Sequence, residues 1–291
     1  MTRRRSIILS AAVVVALGVV VLLAQWLRSL PDVQDFLTTY PGQSELPEGS
    51  PVGLPAWLGW QHFLSAFLLL LIVRTGWQVR TQKRPPMLWS ARGSSKKISL
   101  TLWLHLALDI LWIANGLVFI VLIFVSGHWV RIVPTSWDVV PNSLSVAIQY
   151  ASLNWPSENG WVNYNALQQL TYFVTVFLAA PLAILTGLRM SPVWPRSPGL
   201  ARVYPIEVAR KLHFPVMLYF VLFTVAHVTL VLATGALRNL NHMYAGRDDT
   251  SWVGFVLFAV SLVVMAGAVV LARPLFIRPV ASLVGEVSRG R

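Results

Sequence analysis

The sequence predicts an all-α integral membrane protein, on the strength of its composition and of six apolar segments. Of its 291 residues, 56% are hydrophobic and 12% are charged, and the mean hydropathy is +0.64. In soluble domains about a quarter of the residues are charged. Each apolar segment is near the ~20 residues with which a helix crosses the hydrocarbon core of a bilayer. We therefore expect several membrane spans and not a soluble domain with a large core.

The N-terminal segment is predicted to be a retained membrane anchor. A short arginine-rich stretch precedes an apolar run from Ile7 to Leu27, and a signal peptide has the same order of charge and apolar residues. However, a run of about 20 residues is long for the apolar part of a signal peptide, and the cleavage site near its end is weak. Residues 1–30 are therefore assigned to an anchor helix, with a signal peptide as the alternative.

The other five spans alternate with polar connections. Residues 31–56 are predicted to be an extracytoplasmic connector without a helix, because prolines and glycines are dense there. The spans that follow are expected at about 57–79, 98–127, 165–187, 207–234 and 252–272. Together they form the predicted membrane domain, residues 57–272, and residues 273–291 form a basic tail. The longest connection is 128–163, and a loop of this length is usually functional.

Local signals mark the ends of several spans. Asn165 and Gln168 have the spacing of a capping box at a helix start, and Pro181 predicts a kink inside the fourth span. A Thr-Gly pair occurs at 75–76, 186–187 and 234–235. Because glycine tolerates the left-handed conformation at a helix end, we interpret all three pairs as C-terminal caps.

The distribution of charge predicts the orientation of the spans. With the N-terminus inside, segments 1–6, 80–97, 188–211 and 273–291 are cytoplasmic and hold 18 of the 23 lysines and arginines, whereas eight of the 11 acids lie outside. Cytoplasmic loops of membrane proteins carry such an excess of basic residues. We therefore expect a plasma-membrane protein with both termini in the cytoplasm. Topology also explains the net charge of +12, so no nucleic-acid partner is expected.

Four histidines lie inside the predicted spans. His213 and His227 share the fifth span, 14 residues apart. At ~100° per residue this spacing places them within ~40° on one face and about 21 Å apart along the helix axis. The topology puts His62 at the outer depth of His227, and His105 at the inner depth of His213. Since polar groups in membrane spans are costly and functional by default, two layers of two histidines are expected to form a site.

Paired imidazoles at two depths are the ligands that two stacked haems require. The chain has no cysteine, which excludes disulfides, thiolate-held iron–sulfur clusters and covalently attached c-type haem. Two axial histidines per iron leave no open coordination position, which favours electron transfer over oxygen binding. The residues alone leave one alternative, a non-haem membrane transporter or structural membrane subunit whose histidines pair with polar groups.

Several short motifs surround these histidines. They are Trp60-Gln61-His62, Thr75-Gly76, His105, Tyr164-Asn165, Gln168-Gln169, Pro181, Leu185-Thr186-Gly187 and Leu212-His213 with His227. Through them residues 57–234 resemble the bacterial cytochrome b561 and nickel-hydrogenase b-type cytochrome family, which includes membrane subunits of formate dehydrogenase and thiosulfate reductase.

The resemblance implies a four-helix bundle that holds two non-covalent b haems, one on His62 and His227 and the other on His105 and His213. It implies an electron-transfer subunit, and not a stand-alone enzyme, that exchanges electrons between a catalytic subunit and membrane quinone. The N-terminal anchor is additional to the family core. Versions with such an additional span are those paired with an exported molybdopterin oxidoreductase, so an extracytoplasmic redox subunit is the expected partner.

Four further polar residues are assigned roles. Asp109 is the only acid in the interior of a predicted span and lies one turn from His105, so it is a candidate proton group for a quinone site near the inner pair. Arg74 is a candidate for the same site, although its position near a span end also suits contact with lipid headgroups. His128 is expected to be interfacial, and His242 is expected to be a solvated loop residue.

Overall fold

The computed structural model describes residues 3–155, 159–195 and 197–290, and 71% of the fold is helical. The helices are α1 Arg3–Ser29, α2 Pro31–Thr39, α3 Ala56–Thr81, α4 Leu100–Val125, α5 Val139–Ala151, α6 Ala166–Phe173, α7 Ala180–Met190, α8 Pro198–Val203, α9 Ile206–Ala233, α10 Ala236–Leu240, α11 Val253–Leu271 and α12 Pro274–Leu283. Of the segments discussed above, residues 1–2, 156–158, 196 and 291 lie outside the described residues.

Within the described ranges, six helices are long and apolar enough to cross a membrane. They are Ile7–Ser29, Ala56–Thr81, Leu100–Val125, Ala166–Met190, Ile206–Ala233 and Val253–Leu271. Each begins and ends within a few residues of a predicted span, so the prediction of an all-α membrane protein with six spans is confirmed. The apolar runs were long enough to be recognised because a membrane helix must be apolar on every face that meets lipid.

The expectation that the connector 31–56 has no helix is wrong, since α2 occupies Pro31–Thr39. Pro31 is the first residue of α2 and Asp32 lies in its first turn. A proline at this position starts a helix because its missing N–H has no intrahelical partner to lose, and an acid there complements the helix dipole. The glycines of the connector all lie after the end of α2.

The fourth span starts with the predicted cap and is irregular before Pro181. The Asn165 side chain accepts a hydrogen bond from the backbone N–H of Gln168 at 2.8 Å, and Gln168 Oε1 accepts one from the backbone N–H of Asn165 at 3.2 Å. The irregularity is a π-helical turn, Val174–Ala179, between α6 and α7. Pro181 has no N–H for the ordinary helical ladder, and a π-helical turn shifts the pattern of backbone bonds at such a point.

The described residues divide into two compact units. The first combines the segment up to Val52 with Ser126–Phe177, and the second combines Gly53–Val125 with the segment from Leu178 onward. In the first unit α5 packs on α1 and α6, and the guanidinium of the buried Arg131 lies 4.5 Å from the ring centre of Tyr164. The predicted division into an anchor, a connector, a membrane domain and a tail stays a prediction.

In the second unit α3 packs on α4 and α7 packs on α9. A buried apolar cluster made by Ala179, Val216 and Phe220 also takes in Leu69 of α3 and Trp112 of α4. Residues from both helix pairs therefore share one core. This packing fixes the depth at which side chains of α3, α4 and α9 meet.

The basic connection 80–97 and the basic tail form one small sheet. Strand β1 (Met87–Ser90) lies between β2 (Ile98–Ser99) and β3 (Glu286–Arg289), antiparallel to both. Strands of two to four residues leave no alternation of apolar and polar residues that could be recognised in the sequence. The sheet places the tail beside the start of α4.

Candidate functional site

His62 of α3 and His227 of α9 lie close together in the second unit. Their ring centres are 6.1 Å apart, and the ring planes are inclined by 55°. The His227 ring stacks on Phe223, one turn earlier on α9, at 5.6 Å. The edge of Tyr244 approaches His62 at 6.2 Å. The two histidines that the sequence assigns to one layer are therefore close in space.

The separation of these rings matches two imidazoles bound to one metal. A metal–imidazole bond is about 2.0 Å and the ring centre lies about 1.1 Å beyond the nitrogen, so two ligands on opposite sides of a metal have ring centres about 6.2 Å apart. In addition, Nδ1 of His62 is buried with no hydrogen-bond partner among the described residues. A buried unpaired ring nitrogen is unfavourable, and one nitrogen of this ring is thus available for coordination.

His105 of α4 is held by a threonine of the neighbouring helix. Thr75 Oγ1 of α3 lies 2.9 Å from His105 Nδ1. The same hydroxyl donates to the backbone carbonyl of Leu71 at 2.7 Å, so its proton is already used and its oxygen accepts from the ring. The proton of His105 therefore lies on Nδ1, and Nε2 carries a free lone pair.

His213 of α9 repeats this arrangement with α7. Thr186 Oγ1 lies 2.8 Å from His213 Nδ1 and donates to the carbonyl of Leu182 at 2.7 Å. His105 and His213 are thus each held by the threonine of a neighbouring helix. Metal-binding histidines commonly have their second nitrogen fixed in this way, which orients the ring and exposes the ligating nitrogen.

The glycine after each threonine lies against the same imidazole. A Cβ on Gly76 would lie 3.1 Å from Cε1 of His105, and one on Gly187 would lie 3.5 Å from Cε1 of His213. The contact at Gly76 is tighter than a side chain there would tolerate without movement of the ring. A small residue at this point lets the backbone of one helix approach the histidine of the next.

The interpretation of the Thr-Gly pairs as helix caps is therefore wrong at two of three positions. Helix α3 continues past Gly76 to Thr81 and α7 continues past Gly187 to Met190. Only Gly235, which follows the end of α9, has a positive φ, of +132°. The signal that was missed is the repetition of one dipeptide in two spans, each followed by a histidine in the next long helix.

Asp109 lies beside the second pair of histidines, and Arg74 does not form an ion pair with it. Asp109 Oδ2 is 3.7 Å from Nε2 of His105, one turn away on α4. Arg74 instead donates from Nη1 to the backbone carbonyl of Ala272, at the end of α11, at 2.9 Å. In the part of the chain that the structure describes, no ion pair joins Arg74 to an acid.

The two remaining histidines lie outside the spans, and both are buried. The expectation that His242 is solvated is wrong, because it is 4% exposed and its Nε2 lies 2.8 Å from Oδ1 of Asp248. Arg238 donates to both oxygens of Asp248, and these bonds with that of His242 lower the pKa of Asp248 to about 2. The carboxylate therefore stays ionised until the pH falls through that value. His128 lies in a 3-10 turn, with Nδ1 3.0 Å from the hydroxyl of Ser126.

Among the described residues, His62 and His227 form a close pair that is not part of a larger cluster. Among residues 3–155, 159–195 and 197–290, no three or more His, Cys, Asp or Glu side chains are grouped as a metal ion would need. A pair of imidazoles suits a metal whose other ligands come from a macrocycle, because a haem needs only two axial ligands from the protein. The chemistry of the donor set thus fits a haem better than a bare ion.

Comparison with known proteins gives no relative: no family model, no curated protein and no solved structure matches this chain.

The threonine contacts predict the tautomers of the second pair. In the cofactor-free chain with 15N-labelled histidine, at about pH 8 where imidazole is neutral, His105 and His213 should carry their proton on Nδ1. Thr75→Val removes the acceptor, and His105 should lose that preference with a stability cost of about 1–3 kcal/mol for an unpaired buried N–H. Thr75→Ser keeps the hydroxyl and is the matched control. A Thr75→Val protein whose His105 nitrogen shifts equal those of the wild type would contradict the assignment.

Proposed function

We propose that this chain is a membrane cytochrome b subunit that transfers electrons through two b-type haems between an extracytoplasmic redox partner and membrane quinone. The observation that carries the proposal is the 6.1 Å separation between the rings of His62 and His227, and the matching threonine contacts of His105 and His213 support it. His62 and His227 would hold one haem, and His105 and His213 the other. When bound, the two haems would supply one-electron transfer along the direction of the spans.

The protein contributes the positions of the ligating nitrogens. Thr75 and Thr186 fix the tautomer and orientation of His105 and His213 through bonds of 2.9 and 2.8 Å. Phe223 stacks on His227 and limits the rotation of its ring. If two imidazoles held each haem, the chain would leave no site for oxygen, which would favour electron transfer over oxygen chemistry.

The charge distribution supports an orientation with both termini in the cytoplasm of the cell. Of the 23 lysines and arginines, 18 lie in the segments that this orientation places inside, in accordance with the excess of basic residues in cytoplasmic loops. In this orientation the His62–His227 pair lies toward the outer surface and the His105–His213 pair toward the cytoplasm. We assign the chain to the plasma membrane, because the family that it resembles consists of bacterial plasma-membrane subunits and the charge distribution agrees with that location.

The first unit supports a partner on the extracytoplasmic side. Its helix α5 lies in the outer connection 128–163 and is ordered, with a buried face that includes Val146. On and beside α5, Trp137, Val140 and Leu144 are 88%, 52% and 56% exposed. Large apolar side chains exposed together commonly mark binding surfaces. The identity of this partner as a molybdopterin oxidoreductase rests on the family resemblance alone.

Quinone exchange is assigned to the side of the His105–His213 pair. Electrons that entered from outside would reach this pair second, and quinone reduction would take up protons here. Asp109 supplies an ionisable group 3.7 Å from His105. Arg74 is less suited to this role than the sequence suggested, because it bonds the end of α11.

The contact between Asp109 and His105 also supports a second candidate, a non-haem transporter or structural membrane subunit. Proton relays inside membrane spans are also built from a carboxylate beside an imidazole. In that case His105, Thr75 and Asp109 would form a polar-paired group, and no haem would bind. The visible spectrum of the purified chain separates the two functions.

Substitution of single histidines tests the pairing. His62→Ala and His227→Ala should each remove the same haem component from the visible spectrum, and His105→Ala and His213→Ala should each remove the other, because a b haem that loses one of its two ligands is lost or becomes high-spin. His242→Gln is the matched control, since it keeps a donor to Asp248 and should leave both components. If His62→Ala and His105→Ala abolished one and the same component, the pairing would be refuted.

Asp109→Asn tests the quinone site. The amide keeps the size of the carboxylate but cannot deliver a proton, so reoxidation of the reduced protein by a quinone analogue should slow by about 100-fold, the scale of general acid catalysis. Both haem components must remain in the spectrum for the rate to be interpreted. Reoxidation at the wild-type rate would make Asp109 a structural residue.

A further inference from the structure

The second unit contains a cavity of about 450 Å³. The polar side chains that line it are either arginines or neutral residues, and none is acidic. It lies where α3 ends, α4 begins and α11 leads into α12. Its polar side chains are Arg74, Gln78, Thr81, Gln82, Thr101 and Arg273. Two guanidinium groups without a neutralising carboxylate in the lining make the cavity suited to an anion.

The hydrogen-bond state of two lining residues indicates what kind of anion fits. The guanidinium of Arg74 has five N–H donors, and its bond to the Ala272 carbonyl uses one of them. Guanidinium groups bind phosphate oxygens through two parallel bonds. The amide oxygen of Gln82 is buried with no hydrogen-bond partner among the described residues. A phosphate ester that also carries a hydroxyl would satisfy both the arginines and the amide.

Helix α12 indicates that the phosphate belongs to a lipid. It begins three residues after α11 ends, and its side chains Leu275, Phe276 and Leu283 are 77%, 48% and 73% exposed. A short helix with an exposed apolar face directly after a membrane span has the character of an interfacial helix. Ile277 of the same helix lines the cavity together with Leu100 and Leu104 of α4, so apolar surface adjoins the two arginines.

We propose that this cavity binds the head group of an anionic phospholipid that carries a hydroxyl, of the phosphatidylglycerol type, with its phosphate on Arg74 and Arg273. Gln82 accepts a hydrogen bond from the head-group hydroxyl, and the acyl chains lie along α12. The proposal does not depend on haem binding, because none of the four span histidines lines the cavity.

The test is native mass spectrometry of the delipidated full-length chain in a neutral detergent. Short-chain phosphatidylglycerol should bind, and phosphatidylcholine of the same chain length should bind at least about tenfold more weakly, since its zwitterionic head group has no net charge and no hydroxyl. Arg74→Gln and Arg273→Gln should each weaken phosphatidylglycerol binding by about tenfold. Arg278→Gln, on the same helix but outside the cavity lining, is the matched control and should bind as the wild type does.

Arg273→Gln keeps the test decisive if loss of the Arg74 bond to α11 disturbs folding, since Arg273 is exposed. Equal binding of the two lipids, or unchanged binding in the Arg273→Gln protein, would overturn the proposal. Displacement of the lipid by inorganic phosphate at equal concentration would assign the cavity to a free phosphate. Displacement by a quinone analogue would assign it to quinone, and either result would also overturn the proposal.

Discussion

The arrangement of the second unit depends on how a buried imidazole satisfies its N–H inside a membrane span. In an apolar interior an unpaired donor is costly, and the hydroxyls of Thr75 and Thr186 remove that cost for His105 and His213. Each hydroxyl also donates to a carbonyl of its own helix, which fixes the direction of its lone pairs. The ring is thereby oriented, and the nitrogen that can bind a metal is left free.

The repetition of this contact gives the two helix pairs a common plan. Helices α3 and α4 meet through Thr75, Gly76 and His105, and α7 and α9 meet through their equivalents. At Gly76 the absence of a side chain permits the close approach of His105, whereas a Cβ on Gly187 would lie at ordinary van der Waals distance from His213. The contact between His62 and His227 is built differently, since His62 comes from α3 and His227 stacks on a phenylalanine of its own helix. The two pairs therefore offer different environments to the metals they would bind.

The spans, the capping box at Asn165 and the proximity of His62 and His227 could be predicted because each follows from local periodicity or from topology. The role of the Thr-Gly pairs could not, because a glycine after threonine has the same appearance at a helix end and at a helix crossing. The burial of His242 could not be predicted either, because the conformation of a loop brings its partner Asp248 to it, and the sequence pattern does not show that conformation. The sheet of β1, β2 and β3 joins segments about 200 residues apart, and its strands are too short to show a pattern.

The haem content of the purified chain tests the central claim most directly. The proposal that the four histidines form two ligand pairs predicts two non-covalent b haems per chain, measured as the pyridine haemochrome against protein concentration, with a low-spin spectrum before extraction. A ratio near one haem per chain would mean that only one of the two histidine pairs binds haem. A ratio near zero would contradict it, and the four histidines would then be polar-paired residues of a non-haem membrane protein.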